Sequence, residues 1–219
     1  MIVARDLRVV LQGRTVLDGV GFEVQRGEAV ALVGANGSGK TTVIRCLLGL
    51  VPFEGEAQIG GHDVVREPVA ARALTGYLPQ RSAFGDMTAE EALRFVARLR
   101  RVPTGLVLPA LRRVGLELHA AVSARTFSGG MQQRLSLAAA LLADPPVLLL
   151  DEPTASLDRA GQHAFLDLAA SLRDEGRTLL LASHRAEEIE RLATRVIELH
   201  EGRPRAGAAA VVPLRRAFP

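Results

Sequence analysis

The amino-acid sequence predicts an α/β fold: a core on a mostly parallel sheet, an N-terminal antiparallel β part and an inserted helical subdomain. Three observations carry this. A short apolar run, a glycine-rich turn and a helical pattern follow one another over residues 28–48. A second apolar run, Val147-Leu148-Leu149-Leu150, has no alternation and ends in Asp151-Glu152, as a parallel strand buried on both faces would. Between the two, from about residue 82 to 135, strand signals give way to capped helical periodicity.

Taken in order, residues 1–33 alternate strands and turns: Ile2-Val3-Ala4, Leu7 to Leu11, Gly13, Val20 to Val24, and a turn at Gln25-Arg26-Gly27-Glu28. Glu28 to Val33 reads as a short buried strand. Gly34-Ala35-Asn36-Gly37-Ser38-Gly39-Lys40-Thr41-Thr42 then meets the phosphate-loop pattern G-x-x-x-x-G-K-[ST] at every fixed position. Thr42 to Leu48 follows at helical spacing and stops at Gly49-Leu50-Val51-Pro52. Strand, glycine loop and helix together predict a P-loop NTPase core. The glycines let backbone N–H groups curl around phosphate oxygens, and the helix start adds partial positive charge. Lys40 would reach the β- and γ-phosphates of a nucleotide, and the Thr41 hydroxyl would be a ligand of Mg²⁺. Lys40 is also the sole lysine among 27 lysines and arginines. That position wants a compact ammonium rather than a planar fork.

Further along, Glu56 to Ile59 with Gly60-Gly61 reads as a hairpin strand, and Leu74 to Leu78 as another, ended by Pro79-Gln80. Thr88-Ala89-Glu90-Glu91 is a capping box opening a helix towards Pro103. Residues 105–118 suggest a second helix with Leu108, Leu111, Val114 and Leu116 on its apolar face. Ser128-Gly129-Gly130 opens a third, to Leu142. After the Val147 strand come a helix over 160–175 closed by Gly176, a strand from Thr178 to Ala182 ending in Ser183-His184, a short helix over 186–193 and a strand over 195–199. The tail from Gly202 carries no strong signal.

Composition bounds the function. At 219 residues, 48% hydrophobic but only 4% aromatic, the chain suits one domain with an aliphatic core. The formal charge is +3, with arginine spread along the chain, so no nucleic acid is expected as a partner. No apolar run reaches membrane-spanning length, and Arg5-Asp6 argues against an N-terminal secretory signal. The single cysteine, Cys46, allows no internal disulfide and is expected to pack in the core.

Asp151 and Glu152 lie at the carboxyl end of a buried strand, where open α/β sheets place ligands. Asp151 would hold Mg²⁺, and Glu152 would accept the proton of the water attacking the γ-phosphate.

With these residues in view, the chain resembles the ATP-binding cassette (ABC) ATPases, specifically the nucleotide-binding subunits of transporters. The resemblance spans residues 1–205, with an ATP-binding core over 1–81 and 136–205, a helical subdomain over about 82–135, and a tail at 206–219. Its motifs are Gly34 to Thr42, Gln80, Phe127-Ser128-Gly129-Gly130-Met131-Gln132-Gln133-Arg134, Leu148 to Thr154, Ala155-Ser156-Leu157-Asp158 and His184. It implies ATP and Mg²⁺ as ligands, with Thr41, Gln80 and Asp151 at the metal. It implies catalysis by Glu152, His184, Lys40 and Gln80. It also implies a head-to-tail pair of cassettes, identical or not, in which Ser128, Gly129, Gly130 and Met131 of one subunit close over ATP on the other. Membrane-spanning partners would grip the region from Phe84 to Phe95, and the protein would sit on the cytoplasmic face of the cell membrane.

Two departures from the family pattern stand out. Met131 replaces the usual glutamine and cannot cap back to residue 128. Leu11 stands where an aromatic residue usually stacks on adenine, with Val16 also implied at the nucleotide, so discrimination of ATP from GTP is expected to be weak. His62, His119, His163 and His200 match no motif. The leading expectation is a transport ATPase, with the Gly76 to Leu93 stretch resembling exporters. A regulatory subunit with little hydrolysis is the second reading. A soluble ABC ATPase acting on DNA or ribosomes is the third, but the coiled-coil insert or tandem second cassette usual there is absent from this sequence.

Overall fold

The computed structural model describes residues 1–81 and 84–205. The tail at 206–219 lies outside the described residues. Two sheets sandwich a helix. The first is antiparallel, built from β1 (Ile2–Leu11), β2 (Arg14–Val24), β4 (Glu54–Ile59) and β5 (His62–Asp63) in the order β2-β1-β4-β5. The second has six strands in the order β10-β9-β3-β8-β7-β6: β3 (Ala29–Val33), β6 (Thr75–Leu78), β7 (Val147–Asp151), β8 (Thr178–Ala182), β9 (Arg195–His200) and β10 (Arg203–Pro204). All its pairs are parallel except β9 with β10.

The apolar runs work as the sequence implied. Along β7, Leu148 and Leu150 enter one buried cluster while Val147 and Leu149 enter the other. β8 does the same with Leu179 and Leu181 against Leu180 and Ala182. Each strand thus serves both faces, which is why neither alternates apolar with polar. On one face lies α1 (Lys40–Leu47), between the two sheets, where Cys46 is buried and its thiol is pushed up to about 12 by that burial. On the other lie α3 (Ala89–Arg100), α4 (Val107–Arg113), α5 (Gly129–Leu141), α6 (Arg159–Asp174) and α7 (Ala186–Leu192).

Several expectations need correction. β1 is one strand, not two; Asp6 takes a left-handed backbone (φ 50°) and the ladder shifts register around it. A helix absent from the sequence reading, α2 (Pro68–Ala73), precedes β6; only its Ala71 is buried, so it left no apolar period. The helix expected over 105–118 breaks into single 3-10 turns at Thr104–Leu106 and Glu117–His119 flanking α4, and Gly115 ends it with φ 69°. Leu108 is exposed, so the apolar face there consists of Val107, Leu111, Val114 and Leu116. Beyond Gly202, Arg203 and Pro204 pair with His200 and Leu199.

Candidate nucleotide-binding and hydrolysis site

β3 ends at Val33 and the chain turns through residues 34–39 into α1. The turn is too tight for side chains at two of its glycines. A Cβ on Gly34 would stand 2.3 Å from the Leu199 carbonyl oxygen, and one on Gly39 (φ 102°) would stand 2.6 Å from Leu17 Cδ2. The start of α1 has no side-chain cap and no acidic residue in its first turn, so its N–H groups are left to an incoming anion. Ser38 Oγ is buried in the loop and has no hydrogen-bond partner. Lys40 is buried and curls back, donating to the carbonyls of Gly34 (2.8 Å) and Ala35 (3.2 Å). A buried ammonium held mainly by carbonyls, with an orphaned hydroxyl beside it, suits an anionic ligand.

The second half of the site arrives on β7. Asp151 Oδ1 accepts a 2.9 Å hydrogen bond from the Thr41 hydroxyl. Burial pushes the Asp151 carboxyl above the usual carboxylate range, and neighbouring Glu152 adds to this; the Thr41 hydrogen bond, Arg45 and Lys40 oppose it. Glu152 leaves the strand with a left-handed backbone (φ 46°), and its N–H donates to the Ala182 carbonyl at 2.8 Å. For a non-glycine residue that conformation costs about 1–3 kcal/mol, a cost typical of sites where direction matters more than stability. The turn aims the Glu152 carboxylate at Lys40 Nζ (3.7 Å) and at His184 Nδ1. Nδ1 lies 3.0 Å from Oε1 in hydrogen-bond alignment; Oε2 is as close, at 2.9 Å, but out of line and without a partner. The His184 side chain is 50% exposed and that of Glu152 only 8%, so the buried carboxylate meets solvent beside the imidazole.

The structure therefore brings together Lys40, Thr41, Asp151, Glu152 and His184. Gln80 is exposed, two residues past Leu78, which pairs with Leu150 of β7; its chain leaves the sheet on the same edge as Asp151. Among the described residues its side chain bonds to none of the others. Val16 lies against the loop, its carbonyl oxygen 3.2 Å from where a Gly39 Cβ would stand, and Leu11 is half-buried at the end of β1. The residues from Ser128 to Gly130 lie elsewhere, lining a cavity of about 620 Å³ with Ser156, Leu157 and Asp158. Ser128 and Gly129 are exposed, whereas the Met131 side chain packs against the core. The other histidines stay apart: His62 meets Glu67, His163 meets Glu187, and His119 stacks edge-on with Phe127.

The family described as ABC transporter matches residues 17–155. The chain belongs to the ABC transporter family. The matched stretch contains Lys40, Thr41, Gln80, Ser128, Asp151 and Glu152 and leaves Leu11, Val16 and His184 outside it. Among relatives, this ABC protein is 40% identical over 211 residues to ATP-binding cassette sub-family A member 7 of Rattus norvegicus, covering 93% of this chain and 10% of that one. It is 40% identical over 196 residues to Nod factor export ATP-binding protein I of Paraburkholderia xenovorans (strain LB400), covering 87% of this chain and 64% of that one. The chain thus spans a tenth and under two thirds of these relatives. A solved ATP binding subunit of an ABC transporter superposes with a TM-score of 0.84 at 32% identity, covering 93% of this chain and 87% of that one.

Sequence reasoning gave no role to Glu188 and no individual role to Gln133 or Thr154. All three are buried polar side chains around Glu152. Their partners lie 20 to 34 residues away, so no local pattern exposes them.

Proposed function

We propose that this chain is the ATP-hydrolysing subunit of an ABC transporter and powers movement of a substrate through separate membrane-spanning subunits, with export favoured. The observation that carries this is the contact of one buried carboxylate, Glu152, with both Lys40 and His184, next to the Thr41–Asp151 pair. On this reading Lys40 exchanges the Gly34 and Ala35 carbonyls for β- and γ-phosphate oxygens. Glu152 takes the proton of the attacking water as its oxygen bonds to the γ-phosphorus and the bond to ADP breaks. His184 donates from Nδ1 and keeps the carboxylate pointed at that water.

The donor set suits Mg²⁺. Thr41 Oγ1 and Asp151 Oδ1 are hard oxygens 2.9 Å apart, and Gln80 is the third protein candidate. Among the described residues no cluster of three or more acidic, histidine or cysteine side chains offers a rival site. When bound, Mg²⁺ neutralises charge on the phosphates.

The exposed Ser128 and Gly129 support a head-to-tail pair of cassettes, identical or not, in which each α5 start faces the partner's ATP. No helix among the described residues is long and apolar enough to cross a membrane. On the family reading the spanning subunits are separate and the chain sits on the cytoplasmic face of the cell membrane. The cassette would run over 1–205, with its helical part over about 82–135. Export rests on the Nod factor export relative and on the resemblance of the Gly76 to Leu93 stretch.

The test is phosphate release by the purified protein in Mg-ATP, wild type beside Glu152→Gln. Turnover by wild type that falls by about 10²–10⁴-fold in the variant supports hydrolysis by Glu152. ATP binding without turnover favours the regulatory reading, for which the inward-packed Met131 is the one structural argument.

A further inference from the structure

Glu152 is the residue whose direction matters most, yet the sheet does little to set it. β7 ends at Asp151, and the next residue but one, Pro153, has no N–H to offer. Beyond the Glu152 N–H, the segment Glu152-Pro153-Thr154 is held by two turn bonds, from the Ala155 N–H to the Glu152 carbonyl (3.2 Å) and from the Leu157 N–H to the Thr154 carbonyl (3.1 Å), and by side chains from two helices. From α5, Gln133 Nε2 donates to the Pro153 carbonyl at 2.8 Å, and Gln133 is only 4% exposed. From α7, Glu188 Oε1 accepts from the Thr154 hydroxyl; both residues are buried. Ser183, just before His184, turns its Oγ to the Arg185 N–H at 3.0 Å. The helix that begins two residues past His184 therefore carries the side chain that holds the residue two past Glu152.

A buried acid is a poor choice for mere packing. Desolvation pushes the Glu188 carboxyl upward, its Oε2 has no partner, and Arg185 Nε stands 3.9 Å away. An aliphatic side chain would fill the space without burying a carboxyl oxygen that has no partner. What an aliphatic side chain cannot do is accept from the buried Thr154 hydroxyl.

We propose that Glu188 and Gln133 are positioning residues for hydrolysis: Glu188 holds Thr154, Gln133 pins Pro153, and between them they hold Glu152 in its left-handed turn facing His184. The proposal rests on Glu152 acting as the base in ATP hydrolysis. Small displacements of a catalytic group lower the rate of the chemical step while leaving substrate binding intact. The signature is therefore a loss in kcat with little change in KM.

The experiment compares the full chain with Thr154→Val, Gln133→Met and Glu188→Leu, which remove a donor or acceptor at similar volume, and with Thr154→Ser and Glu188→Gln, which keep one. Steady-state ATP hydrolysis is measured beside thermal unfolding and the ¹⁵N chemical shift of His184 Nδ1. The three disruptive variants are expected to lose about 10–100-fold in kcat with KM for ATP within about twofold, while the two conservative variants stay near wild type. The Nδ1 shift should move in Thr154→Val and not in Thr154→Ser. Should Glu188→Leu fail to fold, Thr154→Val carries the test from the other end of the same contact and Gln133→Met from the second contact. Full kcat and an unmoved Nδ1 shift in folded Thr154→Val and Gln133→Met would overturn the proposal. A wild type that binds ATP without turnover would instead overturn the hydrolytic reading, and the His184 shift still reports whether the clamp sets the contact.

Discussion

Two helix starts in this protein use the same device to different degrees. At α3, Thr88 Oγ1 accepts from the Glu91 N–H (3.2 Å) and the Glu91 carboxylate accepts from the Thr88 N–H (2.8 Å), a closed capping box. At α5, Ser128 Oγ accepts from the Met131 N–H (3.3 Å), but residue 131 returns nothing, because methionine has no carboxylate or amide oxygen to accept the Ser128 N–H; its side chain packs half-buried against the core. The first start is satisfied from within the chain. The second is half satisfied, and Ser128 and Gly129 are exposed. α1, at the phosphate loop, has no side-chain cap at all. Among these three starts, the two expected to meet phosphate carry less side-chain capping, leaving N–H groups and partial positive charge for the ligand; α2, α4 and α7 also lack a side-chain cap, so an open start is not by itself a phosphate site.

The sharpest way to break this comparison is to delete both caps. Ser128→Ala and Thr88→Ala should each destabilise the fold by about 1 kcal/mol, read by chemical denaturation. Their activities should part company. Ser128→Ala should lose about 10²-fold in phosphate release if, as proposed, its hydroxyl also meets the partner's ATP. Thr88→Ala should stay within about twofold of wild type. Equal activity losses would show that Ser128 is only a cap.

A smaller effect comes from completing the box at α5. Met131→Gln should raise stability by about 0.5 kcal/mol at most, since the gain in capping is offset by lost packing of the methionine. A melting-temperature series checks this, and a clear destabilisation would show that packing outweighs the cap.

The smallest effect is a difference in pH response. The Thr88 N–H holds the Glu91 carboxyl below its ordinary value, so this cap contributes stability above the unfolded glutamate pKa. The contribution is lost as pH falls through the lower, folded value. Protection of the amides at residues 88–91, relative to their intrinsic exchange rates, should therefore fall in acid, whereas protection at 129–131, capped by a hydroxyl that does not titrate, should show no such acid step.

Legibility in the sequence followed locality. The phosphate loop, the capping box at Thr88 and the β7 run are patterns within a few residues, and each stands where the sequence put it. α2 was invisible because a helix with only Ala71 buried has no apolar period. The bulge at Asp6 was invisible because aspartate tolerates a left-handed turn without announcing it. At the site, Lys40, Thr41, Asp151 and Glu152 could be read from their own motifs, and His184 through resemblance. Thr154, Glu188 and Gln133 could not, since the contacts that give them a role are made only once α5, β7 and α7 have packed. Met131 was recognised as an unusual residue at its position, but its inward direction was a fact of packing.

The central claim is that the open start of α5 is completed by ATP held on a second cassette. Light scattering on the Glu152→Gln protein, eluting from size exclusion with and without Mg-ATP, tests it directly. The account predicts a monomer without nucleotide and a dimer with it, with the dimer abolished by adding Ser128→Glu. A Glu152→Gln protein that binds ATP yet remains monomeric would contradict it.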